Sequence, residues 1–121
     1  MPFDAVNFAP ATKIAPPVVD NEVQRVLREA KEIMRRRGWG QGTRLDKKTG
    51  KVCLKGAVAL ALTGEPTSDV PDEYLKPLQR AASIVTGRKV HLIWWFNDKQ
   101  DTARPVYQAL DLAITLAGQK K

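Results

Sequence analysis

Three short blocks place the rarest residue types of this chain at the joints between amphipathic segments. They are Gly38-Trp39-Gly40-Gln41-Gly42, Gly50-Lys51-Val52-Cys53-Leu54-Lys55-Gly56-Ala57 and Trp95-Phe96-Asn97-Asp98. Glycine allows close approach and positive φ, and tryptophan is costly to leave in water, so such joints specify one particular packing. They point to a small defined fold and name no chemistry.

The segments between the joints carry helical periodicity. Val23, Val26, Leu27, Ala30, Ile33 and Met34 form one stripe, with Asn21 and Gln24 spaced as a capping box. Arg25–Glu29, Arg28–Glu32 and Glu32–Arg36 are spaced for i,i+4 pairing on the outer face, and Arg35, Arg36 and Arg37 suit the negative end of the helix dipole. Gly38 is expected as a left-handed cap, with Trp39 folding back on Met34. Residues 43–54 read as a short hairpin turning at Asp46-Lys47-Lys48-Thr49-Gly50. The Lys48-Thr49-Gly50 triplet occurs in penicillin-recognising enzymes, but without a Ser-x-x-Lys it reads as a turn.

Residues 53–63 are apolar or small nearly throughout, as in a buried helix, and Gly56 and Ala57 would admit a close neighbour. Tyr74, Leu75, Leu78, Ala81, Ala82 and Val85 give a third helix, which either begins near Pro77 or kinks there after a turn from Pro71. Residues 90–96 are dense in β-branched and aromatic side chains and read as a strand. In a strand Trp94 and Trp95 face opposite ways, so one must be covered by another element or offered to a partner. Thr102 is placed to cap a last helix striped by Val106, Ala109, Leu110, Ala113, Ile114 and Ala117. The expected fold is mainly α: a compact bundle of about four helices with a small β-hairpin or short strands. Trp39, Cys53, Leu54, Ala57, Leu60, Trp95, Val106 and Leu110 are expected in its core.

The first 19 residues differ from the rest. Pro2, Pro10, Pro16 and Pro17 block regular structure, while Phe3, Phe8 and Ile14 are apolar enough to pack on the domain of residues 20–121 or on a partner. A chain of 121 residues fits one domain. With one Cys it holds no internal disulfide, and it has neither a transmembrane run nor the features of a secretory signal. A cytoplasmic protein is expected.

The joints resemble a domain-of-unknown-function family of small proteins from actinobacteria and their phages. Its pattern reads G-W-x-Q-G, then G-x-x-C-L-x-G-A, then W-N-D, then T-x-x-x-V-x-x-x-L-D-x-A-I. The last block corresponds here to Thr102, Val106, Leu110, Asp111, Ala113 and Ile114, and the resemblance spans about residues 20–118. Phe96 stands as an insertion between Trp95 and Asn97, and Pro105 replaces the acidic partner of a capping box. The resemblance implies a compact helical fold and a phage- or mobile-element origin. It carries no activity.

Three functional readings follow. The first is a small non-catalytic accessory or binding protein acting through protein–protein contact, either with a partner or by self-association. Trp94, Phe3, Phe8 and Ile14 are its contact candidates. The second is electrostatic nucleic-acid binding. The net charge is +7, and between Arg25 and Lys55 eleven Lys/Arg face only Glu29, Glu32 and Asp46. Arg44, Lys47, Lys48 and Lys51 are the phosphate-contact candidates. The third is a cysteine enzyme: Cys53 at a helix start, with His91 and Asn97 or Asp98 as base and orienting group. No paired ligand spacing calls for a metal, no glycine pattern calls for a nucleotide, and no cofactor or membrane partner is expected.

Overall fold

The computed structural model describes residues 19–119. The arm, with Phe3, Phe8 and Ile14, lies outside the described residues. α1 spans Glu22–Arg37 and opens on the expected capping box: Gln24 N donates to Asn21 Oδ1 at 2.8 Å, and Asn21 N donates to Gln24 Oε1 at 3.0 Å. Both side chains also reach the last turn of α5 (Arg104–Gly118). Gln24 Nε2 donates to the Ile114 carbonyl at 3.0 Å and Asn21 Nδ2 to that of Ala117 at 2.8 Å. Ala117 is one of the last four carbonyls of α5, which lack an intrahelical donor, so the start of one helix satisfies an orphan at the end of another.

Five helices form among the described residues, α2 spanning Leu54–Thr63, α3 Asp72–Thr86 and α4 Ile93–Asp98. They share one core, in which Leu27, Met34, Leu54, Leu78, Phe96 and Leu110 are fully buried. α3 and α5 pack together, and Ala81 and Ala82 on one and Ala109 and Ala113 on the other are all without exposure. Small side chains on both faces let the two axes come close. α1 packs on α2 and α5.

The fold departs from the sequence reading in several places. Residues 93–98 are helical, not extended. One and a half turns bury Ile93, Phe96 and Asn97 together, the i, i+3, i+4 face that an alternating strand cannot present. Trp95, expected in the core, therefore lies outside it at 39% exposure, and Phe96 takes the buried place beside Asn97. Trp39 and Leu60 are half-buried, whereas Cys53, Leu54, Ala57, Val106 and Leu110 are buried as expected.

Gly38 adopts φ 93°, ψ 152°, so α1 does not end in a left-handed cap, and the chain leaves it extended toward Val52. No hairpin strands form among the described residues. Val52 makes one antiparallel bridge with Leu45 and one parallel bridge with Trp39, closed by Asp46 N donating to the Lys51 carbonyl at 2.8 Å. α3 runs unbroken through Pro77. The missing N–H would have bonded the carbonyl of Glu73, an exposed residue in the first turn where water can take its place. α5 starts after Ala103 without a side-chain cap, so Thr102 does not play that part. On α1 the exposed ion pairs are Arg25–Glu22, Arg28–Asp20 and Arg36–Glu29, and Lys31 reaches Asp111 of α5 at 2.8 Å. None is the expected i,i+4 pair. Exposed pairs of this kind add little stability.

The close neighbour of Gly56 is the backbone of Arg44, whose carbonyl accepts from Cys53 N at 3.2 Å. A Cβ at residue 56 would overlap that carbonyl oxygen. Replacing Gly56 by Ala should therefore displace the 43–46 segment and lower stability by about 1–3 kcal/mol, the usual cost of overpacking. Urea denaturation of the variant against the parent protein checks it.

Candidate functional site

The three glycine- and tryptophan-bearing blocks converge on Asn97. Its side chain has no solvent exposure. Oδ1 accepts from Trp39 Nε1 at 2.7 Å and from the backbone N–H of Leu54 at 3.0 Å. Nδ2 donates to the Gly40 carbonyl at 2.9 Å and to Asp98 Oδ1 at 3.1 Å. A primary amide has two donors and two acceptor sites, so every one is used.

The surrounding bonds complete the same junction. Gln41 Nε2 lies 3.2, 3.0 and 2.7 Å from the carbonyls of Asn97, Asp98 and Gln100, capping the end of α4. Gly42 N donates to Asp98 Oδ1 at 3.0 Å. Cys53 is the N-cap of α2, its Sγ accepting from Gly56 N at 3.3 Å. The motif polar groups thus satisfy one another. Together they build a lock.

Cys53 is 4% exposed. Burial pushes its thiol pKa up, against the smaller opposing pull of the Gly56 and Lys55 N–H groups, so the protonated form is favoured. A cleft of about 230 Å³ runs past it, walled by Gly42, Arg44, Lys55, Trp94 and Asp98. His91 is exposed and lines a different cleft, with Lys89, Leu92 and Trp95. The structure therefore puts Asp98 near Cys53, uses Asn97 elsewhere, and does not join His91 to either. Among the described residues no three His, Cys, Asp or Glu side chains gather as a metal would need.

The basic candidates also divide. Arg44 Nη1 donates to the carbonyls of Pro66 at 3.1 Å and Ser68 at 2.5 Å, tying down the loop between α2 and α3. Lys47, Lys48 and Lys51 are exposed on the turn.

What stands out at the surface is the outer face of α4. Leu92 is 51% exposed, Trp94 49% and Trp95 39%. Lys99 Nζ lies 5.6 Å from the Trp95 ring centroid, within reach of a cation–π contact. Trp94 was singled out in the sequence for a mistaken reason, since strand alternation does not apply. Leu92 and Trp95 were missed. A helical reading of residues 93–98, with Ile93, Phe96 and Asn97 on the inner face, would have turned Trp95 outward.

Lock and aromatic face define a small helical domain in which most signature residues are architectural and two exposed tryptophans sit on one short helix. The chain belongs to the DUF6197 family, a family of unknown function, whose model matches residues 18–116. No curated protein and no solved structure shows significant similarity to it.

Replacing Asn97 by Ala strands the Trp39 and Leu54 N–H groups and the Gly40 carbonyl, and should cost at least about 3 kcal/mol. Trp39→Phe removes one bond while Leu54 still occupies Oδ1, and should cost about 1 kcal/mol. Asn97→Asp tests the sign of the electrostatics. A buried carboxylate beside Asp98 has its pKa raised, so the deficit against the parent protein should be largest at neutral pH and shrink on acidification. Denaturation midpoints across pH 4–8 measure all three.

Cys53 should react with a disulfide reagent at pH 8 only as fast as the protein opens locally, and rapidly once unfolded. Fast stoichiometric labelling of the native protein would overturn the assignment of a protonated, buried thiol.

Proposed function

We propose that this protein is a small non-catalytic accessory protein that binds another protein through the outer face of α4. The observation that carries the reading is the exposure of Trp94 and Trp95 on one short helix, with Leu92 exposed at its N-cap. Isolated exposed apolar residues are ordinary; here two tryptophans and a leucine are exposed in one short stretch of chain, and tryptophan is enriched among the residues that dominate binding energy. A helix of this length has no stability of its own. Its backbone is held by Asn97 and by the Gln41 cap, so the face is presented with little entropy left to lose on association. The cytoplasmic location and the phage- or mobile-element origin belong to the same proposal. Among the described residues no helix is long and apolar enough to cross a membrane.

Nucleic-acid binding is the alternative. The engagement of the Arg44 guanidinium by two carbonyls removes one of its four proposed phosphate contacts and leaves Lys47, Lys48 and Lys51. Affinity capture from a lysate of the source organism, with and without nuclease, separates the two readings. A protein retained after nuclease and lost with Trp94→Ser plus Leu92→Ser supports the proposal, provided the variant's helical circular dichroism is unchanged. Capture of nucleic acid alone, abolished by Lys47→Glu plus Lys48→Glu and falling steeply with salt, would replace it.

A further inference from the structure

The α4 face is not a flat ridge. Trp95 forms a wall shared by two clefts. One, about 350 Å³, is lined by Thr86, Arg88, Val90, Phe96, Lys99 and Gln100 as well as Trp95. The other, about 260 Å³, is lined by Lys89, His91, Leu92 and Trp95. Neither lining contains an Asp or a Glu. Arg88, Lys89 and Lys99 are absent from every ion pair formed among the described residues. The nearest acidic member of α4, Asp98, faces Gly42 N and the Asn97 amide instead.

The floor of the groove is held from below. Val90 N donates to Ser83 Oγ at 2.9 Å, and Gln79 Nε2 donates to the His91 carbonyl at 2.9 Å, pinning residues 90–91 to α3. Val90 and Phe96 are buried beneath it. The surface thus combines preformed apolar recesses with unpaired cations on both sides of an exposed indole.

We infer that the paired clefts around Trp95 form a docking groove for an acidic polypeptide segment bearing apolar side chains. Its apolar groups seat against Trp95 and Leu92, and its carboxylates pair with Arg88, Lys89 and Lys99. The inference rests on the binding reading above and names the chemistry of the partner. Charge complementarity is the deciding argument: a basic or neutral segment would leave three cations facing apolar contacts without counter-charges. A lipid surface would accept the same composition, but a membrane favours a protruding wedge, whereas here the apolar surface is recessed into clefts.

The test is selection of short random peptides on the immobilised full chain, followed by anisotropy titration of those enriched. Peptides of net negative charge with apolar anchors are expected. Their affinity should drop about ten-fold or more with Trp95→Ala, and similarly with Arg88→Glu plus Lys99→Glu. Lysine-substituted peptides should in turn bind that charge-reversed variant better than they bind the parent protein. Both variants alter exposed residues, and an unchanged melting temperature confirms that each is folded. Enrichment of neutral or basic peptides overturns the inference, as does acidic-peptide binding indifferent to Trp95→Ala. Peptides lost with Trp94→Ala alone would leave α4 as a binding face but discard this groove. Failure to enrich any peptide, with binding to phosphatidylcholine vesicles containing about one third phosphatidylserine, would overturn both the groove and the protein-binding reading.

Discussion

The Asn97 side-chain amide is the interaction on which the rest of the structure depends. A buried amide with unmet hydrogen bonds is costly, whereas one with all four satisfied fixes four groups relative to each other. Here those groups come from the loop after α1, the first turn of α2 and the end of α4. No apolar contact would specify their register so narrowly. Apolar packing tolerates small sliding; a hydrogen-bonded junction does not.

That junction gives most of the chain's recognisable residues a structural role. Gln41 caps α4, Trp39 and Gly40 hold Asn97, Gly42 holds Asp98, and Gly56 makes room for the Arg44 backbone. Cys53 at the head of α2 is a capping group with a protonated thiol, although a helix N-terminus is also where a reactive thiolate would be sought. Desolvation decides between these outcomes, because the cost of burying a charge exceeds what two N–H groups return. The exposed apolar side chains near the junction are Leu92, Trp94 and Trp95.

The charge distribution takes on a different meaning once it is placed in space. The long basic block between Arg25 and Lys55 looked like a single electrostatic feature, yet its members serve separate ends. Several pair with neighbouring carboxylates along α1, Lys31 bridges to α5, and Arg44 ties down a distant loop. Arg44 and Lys55 of that block share a cleft with Trp94, whereas the cations beside Trp95 are Arg88, Lys89 and Lys99, outside the block.

Four of the five helices among the described residues were legible in the chain: α1, α3 and α5 from a 3.6-residue apolar period over about fifteen residues, α2 from an apolar run closed by Gly64, and the Asn21–Gln24 cap is a local signal read locally. The convergence of the Trp, Gly and Asn blocks was visible as a concentration of unusual residues. α4 was not legible. Six residues are too few for periodicity to show, and their β-branched and aromatic composition favours a strand. Only the tertiary structure decided otherwise, by offering Asn97 partners on two other segments and burying Ile93 and Phe96 on the same side. That choice also turned Trp94 and Trp95 outward together. The chain by itself determined which segments coil and which residues must meet; where the aromatic surface faces was settled by long-range hydrogen bonds, which no local pattern encodes.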